Sequence, residues 1–299
     1  GRGPDEGAGG PSPPPAAAAA AEPASVPARS PAEFNPDALD LSDMRRFLME
    51  PVAREAGIVQ CSIVRNKSGT NKLFPNYQVF MKYGDQERFL LAGKKRAGNK
   101  TSNYLISMQE GDLSRESRNF LGKLRANFVG TEFQVYDDGV NPKDLDAVGA
   151  SADQARRELG VVLYASNMLG SRGPRKMQVF VPQVDPQGRA REFRPASGRE
   201  GDMLGAVKRE DLTDLIYLIN KPPRWNDEVG AYVLNFNGRV TMASVKNFQL
   251  IEGERPEDVL LQFGRVAKDK FTMDFQWPLS PFQAFAITLS SFDSKIACD

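Results

Sequence analysis

The feature that most constrains this chain is a short apolar segment near its C-terminal end. Within residues 282–289, Phe282, Phe285, Ala286 and Leu289 mark one helical face, while Ala284 and Ile287 lie on others. A helix that is apolar nearly all round must be buried. The run is far shorter than the roughly 20 residues needed to cross a bilayer. Its shelter must therefore come from the rest of the protein. Either a sheet encloses the helix, or the helix packs on one sheet face.

The candidate shelter is rich in β-type sequence from Ile58 onward. Val79-Phe80-Met81, Arg88-Phe89-Leu90-Leu91, Tyr104-Leu105-Ile106 and Phe133-Gln134-Val135-Tyr136 are short and rich in β-branched and aromatic residues. Further candidates are Val161-Val162-Leu163-Tyr164, Met177-Gln178-Val179-Phe180-Val181, Tyr232-Val233-Leu234-Asn235-Phe236, Val259-Leu260-Leu261-Gln262-Phe263 and Phe271-Thr272-Met273. Turn residues such as Asp137-Asp138-Gly139 and Asn237-Gly238 punctuate them. Many short strands without long helices predict an antiparallel barrel or sandwich.

The two ends of the strand region differ. Leu41, Met44, Phe47 and Leu48 recur at helical spacing and Pro51 stops the pattern, which predicts one short helix docked on the domain. Ahead of it, residues 1–33 hold ten Ala, eight Pro and five Gly. Such a segment cannot bury enough apolar surface to offset its backbone entropy. Residues 1–40 are read as a disordered arm and 44–299 as one domain. The chain opens on Gly1, which reads as a start with residues missing ahead of it.

Composition narrows the chemistry. The chain has no histidine, which removes Ser-His and Cys-His nucleophiles and every His metal site. The two cysteines, Cys61 and Cys298, have no metal-ligand spacing and suggest a reducing compartment. No secretory signal is visible, so membrane contact is expected to be peripheral. Asp137 with Asp138, and Asp227 with Glu228, sit in turn sequences and read as solvated residues rather than acid/base pairs. Gly170-Ser171-Arg172-Gly173 is a turn with only a weak phosphate-loop signal. The chain is read as a binding protein, not an enzyme, with no cofactor.

Net charge is only +1, so any electrostatic function needs a local cluster. Residues 94–125 supply one. Lys94, Lys95, Arg96, Lys100, Arg115, Arg118, Lys123 and Arg125 are set against Glu110, Asp112 and Glu116. Arg156-Arg157 and Arg172-Gly173-Pro174-Arg175-Lys176 add positive charge downstream. In Gly122-Lys123-Leu124-Arg125, a strand would put Lys123 and Arg125 on one face and Leu124 in the core. Gly122 would let a ligand approach the backbone. A lysine point charge beside an arginine fork suits two neighbouring phosphates. On charge alone, a solvated basic face is the commoner outcome, and nucleic acid is a second phosphate-bearing partner.

At this point the residues resemble a known family. Lys100-Thr101-Ser102-Asn103-Tyr104-Leu105-Ile106-Ser107, Asp112-Leu113-Ser114-Arg115, Gly122-Lys123-Leu124-Arg125 and Val135-Tyr136-Asp137 look like the tubby domain. So do Gly173-Pro174-Arg175-Lys176-Met177, Lys221-Pro222-Pro223 and Trp225-Asn226-Asp227. The strongest matches are Leu234-Asn235-Phe236 with Gly238-Arg239-Val240-Thr241, then Ala243-Ser244-Val245-Lys246-Asn247-Phe248-Gln249. The ending Gln283-Ala284-Phe285-Ala286-Ile287, Leu289-Ser290-Ser291-Phe292-Asp293 and Ala297-Cys298 closes the pattern, which runs from about residue 44 to 299.

The resemblance implies a mainly β fold, a closed twelve-stranded antiparallel barrel around a buried apolar C-terminal helix. It implies binding of phosphatidylinositol 4,5-bisphosphate and related head groups through Asn103, Lys123, Arg125 and Arg156, with Arg115 as a neighbour. In that picture Lys123 sits between adjacent ring phosphates, and Arg156 closes the site from a helical Arg156-Arg157-Glu158-Leu159 segment. Family members act as membrane-tethered adaptors that carry protein cargo, in some cases membrane proteins bound for cilia. A nuclear role in transcription has also been proposed for them. The expected location is therefore cytoplasmic and peripheral at the plasma membrane, with cilium and nucleus as further sites. Two segments depart from the family pattern. Ala97-Gly98-Asn99 interrupts the basic run ahead of Thr101, and Glu116-Ser117-Arg118 replaces a glycine-rich loop. Each basic residue near an anionic surface is worth roughly 1 kcal/mol, so the interruption concentrates the expected affinity on the few named positions.

Overall fold

A computed structural model describes residues 34–165, 176–195, 201–227, 231–253, 255 and 257–293. Twelve strands close into one barrel. They are β1 (Val59–Asn66), β2 (Asn76–Tyr83), β3 (Gln86–Lys95), β4 (Asn103–Ser107), β5 (Phe120–Ala126) and β6 (Glu132–Asp137), then β7 (Glu158–Tyr164), β8 (Met177–Pro182), β9 (Leu215–Asn220), β12 (Phe248–Glu252), β13 (Val259–Ala267) and β14 (Lys270–Phe275). Between β9 and β12, β10 (Arg224–Asn226) and β11 (Ala231–Val233) form a separate two-stranded ribbon. The helices are α1 (Met44–Met49), α2 (Leu145–Val148), α3 (Met203–Lys208) and α4 (Pro281–Ser291).

Alternation decides which face each strand shows. In β2, Tyr77, Val79 and Met81 are buried while Gln78 and Phe80 are not. A two-residue turn joins Tyr83 to Gln86, with Gly84 at φ +61° supplying the positive φ such hairpins use. Antiparallel pairing runs round the ring and closes where β1 pairs with both β2 and β14. Closure leaves the barrel without a free edge.

The lumen is filled by α4, all eleven of whose residues are buried. It contacts β5, β6, β7 and β14, so it is enclosed rather than laid on one face. Burying a helix end requires partners for its free N–H groups. Ser280 and Gln283 form a capping box, and Gln283 Nε2 donates to Leu159 O at 2.8 Å. The hydroxyls of Thr288, Ser290 and Ser291 donate to carbonyls three residues earlier. Beyond the helix, Phe292 packs on Tyr77 and Phe271, with ring centres 4.7 and 4.8 Å apart. Buried Asp293 accepts from Tyr104 Oη at 3.0 Å and from Lys95 Nζ at 3.3 Å.

Several expectations need correcting. The strand expected at 232–236 stops at Val233. Two strands, β9 and β12, form outside the stretches that the sequence marks as strands. The open space expected above Gly122 does not exist. A Cβ there would lie 2.1 Å from Tyr136 O and 2.8 Å from the Phe282 ring. Gly122 makes room for β6 and α4, not for a ligand. Asp137 is not a solvated turn residue but a buried one bound to Arg157. Residues 1–33 of the predicted arm, Glu228 and Cys298 lie outside the described residues. Residues 34–40, the end of that arm, rest on the domain: Asn35 N donates to Ala56 O at 3.0 Å, and Phe34 and Leu39 pack on the core.

The long motif at 234–249 also has a structural role. Arg239 pairs with Asp274 of β14 at 2.6 Å, and Asn247 Oδ1 accepts from Arg265 N of β13. Gln249 Nε2 donates to Asn235 O and to Gln262 Oε1. These bonds strap the excursion between β9 and β12 onto the barrel wall. This wall is six strand steps from β5 in either direction.

Candidate functional site

The basic cluster is built on the wall formed by β3 to β7. Asn103 of β4 lies directly across from Arg125 of β5, and Lys123 lies between Leu105 and Tyr136. Leu124 is fully buried. Lys123 and Arg125 therefore share the outer face, as the alternation predicts. The outer face of β6 adds Tyr136 next to Lys123.

Lys123 is half-buried, and its ammonium lies 5.8 Å from the centre of the Tyr136 ring. Its pKa is pushed down to about 8, first by burial and then by Arg156, Arg115, Arg125 and Arg96. The fields of four guanidiniums thus act on one ammonium. Such an arrangement is unfavourable until an anion enters it. Arg115 sits on the loop between β4 and β5. Asp112 fixes that loop by accepting from Asn119 Nδ2 at 2.9 Å and from Ser117 Oγ. Glu116, on the same loop, is held below its usual range by Ser114 and by the fields of Arg115 and Arg96.

Arg156 arrives by a different route from the one expected. Residues 156 and 157 are not helical. They form an irregular link into β7, and Glu158 already belongs to that strand. Arg156 N donates to Val140 O at 2.8 Å. Gly139 permits this approach, since a Cβ there would lie 2.4 Å from Arg156 Cα. The two neighbouring arginines divide the work. Arg157 donates to Asp137 through its backbone N at 2.7 Å and its Nε at 2.8 Å. Arg156 instead lays its guanidinium 4.2 Å from the centre of the Tyr136 ring.

Two polar atoms at this site are buried without a hydrogen-bond partner: Asn103 Oδ1 and Arg156 Nε. Buried polar atoms are nearly always paired, so an acceptor and a donor left open in one cluster are available to a partner from outside the chain, water or ligand. Behind them, buried Glu158 accepts from Met203 N at 2.5 Å and from Gln134 Nε2 at 3.4 Å, and hydrogen-bonds with Tyr136. Burial pushes the Glu158 carboxyl up to about 7. Burial and the field of Glu158 push the Tyr136 phenol up to about 12.

All five predicted residues meet: Asn103, Lys123, Arg125 and Arg156 form the cluster, and Arg115 acts on Lys123 from its edge. The sequence motifs do not point to Arg96, Tyr136 or Glu158 as members of the site. An aromatic at an outward strand position beside Lys123 was the available signal for Tyr136. Other members of the basic stretch serve the fold. Lys94 donates to Asn71 Oδ1 at 2.8 Å, and Lys95 is bound to Asp293. Arg172 and Arg175 lie outside the described residues. Among the described residues, no group of three potential ligands could hold a metal ion.

A comparison with protein-family models matches residues 48–294 to the Tub family. The chain belongs to the Tub family. It is 50% identical over 257 residues to Tubby-related protein 2 of Mus musculus, covering 85% of this chain and 45% of that protein. It is 44% identical over 264 residues to Tubby-related protein 1 of Homo sapiens, covering 87% and 47%. Tubby protein homolog 1 of Caenorhabditis elegans is 43% identical over 284 residues, covering 92% of this chain and 66% of the homolog. The chain thus spans about half the length of the mammalian tubby-related proteins it matches. The barrel and its enclosed helix are the fold of this Tub-family chain.

Proposed function

We propose that this Tub-family chain binds phosphoinositide head groups, phosphatidylinositol 4,5-bisphosphate among them, and so acts as a membrane-tethered adaptor rather than an enzyme. One observation carries the reading: half-buried Lys123 shares the Tyr136 ring with Arg156 and one strand face with Arg125, in the positive field of Arg96 and Arg115, beside the unpartnered Asn103 Oδ1 and Arg156 Nε. A compact ammonium suits the space between two neighbouring ring phosphates. The arginine forks suit their outer oxygens. The Asn103 carbonyl oxygen suits a ring hydroxyl. Binding a dianionic pair would relieve the repulsion among the cations and return Lys123 to its ordinary protonated state.

On this reading the protein is peripheral at the cytoplasmic face of the plasma membrane. Cargo delivery, including delivery of membrane proteins to cilia, follows as the adaptor part of the proposal. The test is a panel of vesicles, each with one phosphoinositide, with soluble inositol phosphates and duplex DNA as competitors. Preference for bisphosphorylated head groups and displacement by the matching soluble head group support the reading. Sequence-selective DNA binding that inositol phosphate does not displace would replace it with a nucleic-acid role.

A further inference from the structure

The hairpin that carries Lys123 and Arg125 ends in an apolar tip. Between β5 and β6 the chain reads Asn127-Phe128-Val129-Gly130-Thr131. Phe128 is 71% exposed and Val129 66% exposed. This tip is rigidly built. Asn127 Oδ1 accepts from Gly130 N at 2.7 Å, Thr131 N at 2.9 Å and Glu132 N at 3.3 Å. Asn127 N donates to Glu132 O at 2.8 Å, and Gly130 adopts φ +84°. A strapped turn that leaves two large apolar side chains mostly exposed is not required by the core. Contiguous exposed apolar groups can mark a membrane interaction site.

We propose that Phe128 and Val129 insert into the interfacial layer of the bilayer when the cationic site holds a lipid head group. This rests on the head-group reading above and extends it from a phosphate contact to a two-part membrane contact. The dimensions agree. Phe128 lies three residue steps beyond Arg125, so the tip reaches at most about 10 Å beyond the cation along the strand. The polar layer on each side of the hydrocarbon is about 5–8 Å thick. Interfacial apolar groups bury about 5–10 Å into that boundary. With the hairpin directed at the membrane, a head group held at Lys123 and Arg125 leaves the tip within reach of the acyl boundary. Charge agrees as well: Glu132, at the base of the hairpin, is neutralised by Lys208 at 2.8 Å. Neither part anchors strongly alone, and two signals are the usual requirement for stable attachment.

The test compares the full chain with Phe128→Ser/Val129→Ser, using vesicles that contain a bisphosphorylated phosphoinositide and the same head group in soluble form. The expected result is a vesicle affinity lower by about tenfold or more, with soluble head-group binding unchanged. Leu73→Ser removes an equally exposed apolar side chain elsewhere and is expected to change neither. In a Phe128→Trp chain, brominated acyl chains should quench the new fluorescence only when the phosphoinositide is present. Unchanged vesicle affinity in the double variant, or no added quenching, overturns the insertion. Failure of the unaltered chain to bind the soluble head group overturns the head-group reading beneath it, a result the tip variants cannot produce.

Discussion

The Arg156 guanidinium lies 4.2 Å from the centre of the Tyr136 ring, and the Lys123 ammonium lies 5.8 Å from the same ring. One aromatic side chain thus orients two cations supplied by different parts of the chain. A cation held over an aromatic face gains about 0.5–2 kcal/mol, the upper value applying when it is desolvated. Tyr136→Leu should therefore weaken soluble head-group binding about 2- to 30-fold. Tyr136→Phe keeps the ring and should retain most of the affinity. Calorimetric titration of both variants checks this, and a Leu variant that binds like the unaltered chain would remove the ring from the site.

Lys123 gives the site a pH dependence. Its pKa of about 8 means that the free site loses this positive charge near pH 8, well below the ordinary lysine range. Binding an anion favours the protonated form, so binding above pH 8 must take up a proton. The Lys123 contribution to affinity should be constant below about pH 7 and fall above pH 8, by up to tenfold per pH unit. Lys123→Arg stays charged throughout and should flatten the curve. A profile measured by fluorescence competition from pH 6 to 9.5 distinguishes the two.

The same lysine should cost the free protein stability. Its folded pKa lies below the unfolded value of 10.5, so the unfolded chain binds more protons between about pH 8 and 10.5. Stability from this group therefore rises across that window, and the penalty is fully present below pH 8. Lys123→Met should raise stability at pH 7 by about 1–2 kcal/mol, after a discount for partial exposure. It should also abolish head-group binding. Thermal melts with and without soluble ligand check both halves.

Asp137 holds the segment that delivers Arg156. Its carboxylate is buried and accepts from Arg157 through backbone and side chain. Breaking a buried pair by removing one partner typically costs about 3–5 kcal/mol. Asp137→Ala should lower stability by about that amount and weaken head-group binding at temperatures where the domain remains folded. Normal affinity in a destabilised Asp137→Ala chain would show that Arg156 is positioned without it.

Much of the site was legible because strand alternation is local. Lys123, Leu124 and Arg125 declare one outer face and one core position by their order alone. Arg156 was not legible in the same way. Arg156-Arg157-Glu158-Leu159 suits a helix by propensity, but Val140 O, Asp137 and the pairing of β7 override it. Strand β9 was hidden for another reason. A second apolar cluster, with Met203 and Val207 of α3 packed on Val161, Phe180 and Leu215, covers the outer face of β7 to β9. A strand covered on both faces loses the alternation that reveals it. The enclosed helix announced its burial, but only the closed ring of pairings shows what encloses it. The partnerless atoms of Asn103 and Arg156 depend on contacts between strands distant in sequence, so no motif reveals them.

The most direct test of the central claim is sedimentation of Lys123→Ala/Arg125→Ala with vesicles carrying phosphatidylinositol 4,5-bisphosphate. Circular dichroism and melting should first establish that the double variant is folded. The account predicts that the unaltered chain sediments with these vesicles and that the folded double variant stays in the supernatant. Undiminished sedimentation of the double variant would contradict the assignment of the head-group site to the wall formed by β4, β5 and β6.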